Sequence, residues 1–121
     1  MIRTVVADDH TLVRAGVVGM LNAHDDIEVI ADTGSSREAM NLCRDLRPDI
    51  LLLDLNMPEI DGLEATRQLL RDVPNIRIVI LTMHESEEYA LRLLKAGASG
   101  FLVKGIQPEE LPRAILSVAK G

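Results

Sequence analysis

At 121 residues, 47% of them hydrophobic, the chain is long enough for one domain with a full core and too short for two. A net charge of -6, with no cluster of Lys or Arg, argues against direct nucleic-acid binding by this chain and favours cations and basic partners. No apolar stretch approaches the ~20 residues of a membrane helix and no basic leader opens the chain, so a soluble, cytoplasmic domain without a membrane partner is expected.

Short runs rich in Val, Ile and Leu alternate with helical stretches at a spacing of roughly two dozen residues, the rhythm of βα units around a parallel sheet. The first strand is expected over 2–8 and runs into Asp8 and Asp9; the helix after it carries apolar residues at Val13, Val17, Met20 and Leu21. The second strand, 27–31, leads to a helix that Ser35 and Glu38 open as a capping box. On that helix Ala39, Leu42, Cys43 and Leu46 share a face, which makes the lone cysteine a packing residue. Pro48 ends the helix, and the third strand, 49–54, follows. Asp61 with Glu64 fits a second capping box, and Pro74 ends its helix before the fourth strand, 77–82. Ser86 before Glu87 and Glu88 opens the next helix and Gly97 stops it. The fifth strand, 99–103, precedes a last helix that starts at Pro108, Glu109 and Glu110 and carries Leu111, Ala114, Ile115 and Val118 on one stripe. The third and fourth strands are almost wholly apolar, as strands covered by helices on both faces should be.

Against that apolar background the strand ends are polar: Asp8 and Asp9 after the first, Asp54 at the end of the third, Thr82 at the fourth and Lys104 after the fifth. In an open parallel sheet all these ends share one edge, and in the order 2-1-3-4-5 strands one and three are neighbours at the point where the order reverses. Asp8, Asp9 and Asp54 then converge. Two unit charges ~4 Å apart repel by roughly 4 kcal/mol at an effective dielectric near 20, so crowded carboxylates must take up protons or recruit a cation. Oxygen donors suit Mg²⁺, and zinc would need His and Cys ligands that the spacing of His10 and His84 does not supply. A carboxylate beside a divalent cation, with a Lys and a Thr hydroxyl, has the parts to accept a phosphoryl group.

These residues bring a family into view. Asp8-Asp9-His10, the run from Asp54-Leu55-Asn56-Met57-Pro58 to Asp61-Gly62, Leu81-Thr82, and Gly97-Ala98-Ser99-Gly100-Phe101-Leu102-Val103-Lys104 together resemble the receiver domain of bacterial two-component response regulators. The resemblance spans nearly all of residues 1–120, and its details look most like the NarL/FixJ (LuxR-type) branch. It implies a doubly wound, flavodoxin-like (βα)5 α/β fold over 1–121, with a five-stranded parallel sheet in order 2-1-3-4-5 and helices on both faces. It also implies that Asp54 is the phosphoacceptor and that Mg²⁺ is held by Asp8, Asp9, Asp54 and the backbone carbonyl of Asn56. Lys104 would bind the phosphoryl group, and Thr82 and Phe101 would be the switch residues. Met83 stands where many receivers carry Ala or Ser, and Gly105 where Pro or Asp is more usual.

Singly, each residue has a plainer reading: Asp9 and Asp61 as helix caps, Thr82 as a strand-end residue, Lys104 as a surface charge, Phe101 as core, His10 and His84 as polar loop residues. Their joint placement on one edge favours the site. The function expected is a phosphorylation-controlled switch, loaded by a sensor histidine kinase, that governs a DNA-binding helix-turn-helix output domain following the receiver and promotes a phosphorylation-dependent homodimer. The alternative is a stand-alone receiver acting by protein interaction or phosphorelay. An α/β enzyme is disfavoured: no Gly-x-Gly-x-x-Gly follows strand one, and Asp54-Leu55-Asn56 lacks the second Asp of aspartate-nucleophile phosphatases.

Overall fold

The structure, a computed structural model, describes residues 1–55, 57, 59–82, 87–103 and 109–121. Five strands, β1 (Ile2–Ala7), β2 (Ile27–Thr33), β3 (Ile50–Asp54), β4 (Arg77–Thr82) and β5 (Gly100–Val103), alternate with five helices, α1 (Thr11–Asn22), α2 (Ser36–Leu46), α3 (Gly62–Asp72), α4 (Glu87–Lys95) and α5 (Glu110–Lys120). All pairings are parallel and the order is β2-β1-β3-β4-β5, the expected doubly wound arrangement. The strand limits agree with the sequence reading to within two residues. The largest difference is β2, whose ladder with β1 runs on to Thr33 past a register shift between Thr4 and Val5.

The side-chain alternation of the strands divides the core in two. Leu51, Leu53, Ile78 and Ile80 join Ala39, Met40 and Cys43 of α2, Ala65 and Leu69 of α3 and Leu93 of α4. Ile50, Leu52, Val79 and Leu81 join Val17 and Leu21 of α1 and Leu111 and Ile115 of α5. Two helices therefore cover one face and three the other, which is why β3 and β4 must be apolar on both. Cys43 is fully buried, and burial pushes its thiol up to about 12, outweighing the nearby positive charge of Arg44; it is an inert packing group.

The helix ends follow their local chemistry. Ser35 Oγ accepts from the Glu38 amide at 3.1 Å, the expected cap. Asp61 caps α3 through the Leu63 amide at 3.2 Å, one position earlier than a capping box requires. Arg47, at φ 48°, closes α2 in the left-handed region before Pro48, and Gly97 follows α4 at φ 113°. A Cβ at Gly97 would lie 2.4 Å from Leu70 Cδ1, so both backbone and space call for glycine there. The α1 stripe is narrower than expected: Val17 and Leu21 are buried, but Val13 is exposed, as is its neighbour Leu12. The apolar stripe of α1 is thus covered only in its later turns. Ser86 and Pro108, expected to open α4 and α5, lie outside the described residues.

Candidate functional site

Register builds the site. In the β1–β3 ladder Thr4 pairs with Ile50 and Ala7 with Leu53, so one step further sets Asp8 beside Asp54. Asp54 itself pairs with Leu81, and the Leu55 amide donates to Leu81 O at 2.9 Å, bringing the end of β3 against the end of β4. Thr82 closes β4 opposite Val103. Asp8, Asp54 and Thr82 are 1%, 2% and 2% exposed, whereas Asp9 is exposed at the rim. A hydroxyl and two carboxylates are thus buried at one strand edge, where an uncompensated charge would be costly.

The chain leaving β1 turns at once into α1. The Asp8 amide donates to Thr33 O at 3.0 Å, and Asp8 Oδ1 accepts the His10 amide at 2.9 Å, an Asx-type turn that folds the carboxylate back over the helix start. Arg14, one turn into α1, reaches across: its Nη1 donates to Asp8 O at 2.8 Å and its Nε pairs with Asp32 Oδ1 at 3.0 Å. It passes over Gly34, where a Cβ would come within 2.6 Å of Arg14 Nη1. Arg14 thereby ties the ends of β1 and β2 to α1 and positions the Asp8 backbone. Nothing in the local sequence marked it, because the contact depends on the approach of two strands and a helix.

His10 corrects the sequence reading, which set it aside for its spacing. Its Nδ1 lies 3.2 Å from Asp9 Oδ1, 3.3 Å from Asp8 Oδ1 and 3.8 Å from Asp54 Oδ2, and one ligand atom from each of the four residues falls within 4.8 Å of the others. Spacing along the chain misled because the Asx-type turn folds the ring back onto the carboxylates. Three carboxylates, two of them buried, converge on one point with oxygen donors that fit a divalent ion such as Mg²⁺. Lys104 and Asn56, expected to complete the site, lie outside the described residues, as do Met83, His84 and Gly105.

Phe101 and Tyr89 are half-buried and pack against the α2–α3–α4 side of the core. The Tyr89 hydroxyl donates to Asp61 Oδ1, linking α4 to the cap of α3; burial first, then the hydrogen bond and charge of Asp61, push the phenol up to about 12. Among the described residues no helix is long and apolar enough to cross a membrane.

Known proteins resemble this chain in sequence and fold. The sequence profile of the response regulator receiver domain matches residues 4–116. The response regulator GacA of Pseudomonas aeruginosa is 42% identical over 121 residues, all of this chain and 56% of GacA. The DNA-binding transcriptional activator DevR/DosR of Mycobacterium tuberculosis is 40% identical over 121 residues, again all of this chain and 56% of the relative. The chain therefore spans about half the length of the curated relatives it matches. Among solved structures, the signal receiver domain of the response regulator NarL from Mycobacterium tuberculosis superposes with a TM-score of 0.93 at 33% identity, covering 99% of this chain and 97% of the other.

Proposed function

The chain belongs to the response regulator receiver family, in its NarL/FixJ branch, and from that premise we propose that Asp54 accepts a phosphoryl group from the phosphohistidine of a sensor histidine kinase in the cytoplasm. An Asp54 carboxylate oxygen attacks phosphorus, the new P–O bond forms as the donor's P–N bond breaks, and the electron pair leaves with the imidazole. The observation that carries this reading is the convergence of Asp8, Asp9 and Asp54 at the carboxyl edge of the sheet. Mg²⁺ bound by those carboxylates and by the carbonyl of Asn56 would neutralise charge on the phosphoryl oxygens. Asp54 and Asp8 are held in place by the β1–β3 register, and the Asp8 backbone by Arg14. Lys104 supplies the second positive charge, and the Thr82 hydroxyl donates to a phosphoryl oxygen.

Asp54 is then a substrate of the kinase and the chain a switch, not a turnover enzyme. Phosphorylation adds about -1.5 to -2 charge by analogy with other phosphorylated side chains. Thr82 and Phe101 respond, and β5 and α4 shift with them. Leu91 and Leu94, 55% and 43% exposed on α4, offer an apolar surface whose contacts can change, by dimerisation or by engagement of a DNA-binding output domain. The GacA and DevR/DosR relatives support the regulatory output.

Incubation with a small acyl phosphate and Mg²⁺, followed by intact mass, tests the assignment. The wild type gains one phosphoryl group and Asp54→Asn gains none. Equal labelling of both proteins would overturn it.

A further inference from the structure

We propose that the cleft between α3 and α4 is a docking site for an acidic segment of a partner protein. It stands apart from the carboxylate cluster and does not depend on the reading of that cluster.

The two helices meet at both ends and part between them. At one end the Tyr89 hydroxyl of α4 donates to Asp61 Oδ1, which also accepts the Leu63 amide at the start of α3. At the other, Leu70 of α3 lies so close to Gly97 that a Cβ there would collide with it. Between these contacts lies a cleft of about 510 Å³, open to solvent and lined by Leu63, Arg67, Arg92, Lys95 and Ala96. That volume is within the range of sites that take a ligand, and the contacts at both ends hold its walls before anything binds.

Charge selects the occupant. Three of the five lining residues are cations, on a chain whose net charge is -6. All three are exposed, and among the described residues none of them forms an ion pair. The acids nearby are already engaged: Asp61 holds Tyr89 and the α3 cap, Glu64 accepts from Gln68 Nε2 at 2.9 Å, and Asp72 pairs with Arg44 at 2.9 Å. Glu88, four positions before Arg92, forms no ion pair with it. Two arginine forks and an ammonium are left unopposed, and that is the donor set that carboxylates match.

The surroundings favour a protein segment over other anions. Leu63 and Ala96 are half-buried and give the cleft an apolar part, and Leu91, 55% exposed one turn before Lys95, adds apolar surface beside it. A segment that carries acids next to an aliphatic residue uses both features; a phosphate ion uses only the charge. A nucleic-acid strand would run past the cleft onto an acidic protein, because at physiological salt the three cations act over only about 8 Å. A short acidic stretch stays within their reach.

Fluorescence anisotropy of the whole chain, with a labelled peptide rich in Asp and Glu around a central Leu, tests the proposal. Binding should saturate, weaken as salt rises, and be absent for the same peptide with Lys in place of every acid. The double variant Arg67→Ala/Arg92→Ala should bind at least about fivefold more weakly, the loss expected for two exposed ion pairs. Both positions are exposed on helices, where alanine keeps the helix. Arg113→Ala/Lys120→Ala removes the same charge from α5, on the opposite face of the sheet, and should bind as the wild type does. An absence of saturable binding, an unchanged affinity in the α3–α4 variant, or an equal loss in the α5 variant would overturn the proposal. So would displacement of the peptide by an equal concentration of inorganic phosphate or of a single-stranded oligonucleotide, which would assign the cleft to a small anion or to nucleic acid.

Discussion

At the amino edge of the sheet, charged side chains of both signs find backbone partners at or near the surface, whereas at the carboxyl edge carboxylates gather and two of them are buried. Asp49 Oδ2 accepts the Arg3 amide at 2.8 Å, Arg3 Nη1 donates to Arg47 O at 3.1 Å, and Arg77 Nη1 donates to Val118 O. Arg47 and Val118 lie at the ends of α2 and α5, so both arginines also meet the negative ends of helices. Asp8 and Asp54, by contrast, are 1% and 2% exposed and converge with Asp9. The amino edge is stabilised by what it already contains. The carboxyl edge concentrates negative charge out of solvent, and the difference lies in burial and sign of charge rather than in the number of polar residues.

The strongest way to test that contrast is to supply the cation. Mg²⁺ at roughly a hundredfold excess over its dissociation constant should stabilise the wild type by about 2.7 kcal/mol, seen as a higher urea midpoint. Asp9→Ala should lose most of that gain. An equal gain in the variant would mean that the carboxyl edge is not where the ion binds.

Between the edges, Cys43 tests the core. Its thiol is pushed up to about 12 in the folded chain by burial, above its unfolded value, so the folded state keeps the proton longer. That contribution is fully present below the unfolded value, near pH 9, and is lost as pH rises from there towards 12. The loss is at most about 1.4 kcal/mol per pH unit. Urea unfolding from pH 8 to 10 should therefore show a steeper alkaline decline in the wild type than in Cys43→Ala. Parallel declines would show that the thiol is not closed off from solvent.

At the amino edge, Asp49→Ala removes the acceptor of the Arg3 amide and should cost about 1 kcal/mol. The loss should be the same with and without Mg²⁺. A loss that depends on Mg²⁺ would join the two edges and break the comparison.

Much of this contrast was legible in the sequence because it depends on short-range pattern. The runs around Leu51 to Leu53 and Ile78 to Leu81 read as strands covered on both faces, and their polar ends read as an edge. Asp8, Asp54 and Thr82 were found because each interrupts an apolar run. His10 and Arg14 were not, for a physical reason: an Asx-type turn folds His10 back, and Arg14 reaches Asp32 across a gap that exists only once β1, β2 and α1 have packed. Val13 was assigned to the core by periodicity, which specifies a helical face but not how far along its length that face is covered.

Thr66 on α3 separates two explanations of what marks a functional group. It is fully buried, and among the described residues its Oγ1 has no hydrogen-bond partner. If unsatisfied burial alone marked a site, Thr66 would belong to one. It is neutral, however, and its helix neighbours Ala65 and Leu69 are core residues, so no charge invites a ligand. Thr66→Val keeps the shape and removes a hydroxyl that has lost water without gaining a partner. It should raise stability by about 0.5 to 1 kcal/mol, read in the urea midpoint, with phosphoryl uptake unchanged. A loss of uptake would place Thr66 on the path between the site and α3. A gain in stability alone would show that the carboxyl edge is set apart by convergent charge, and that an isolated buried hydroxyl is only a cost to the fold.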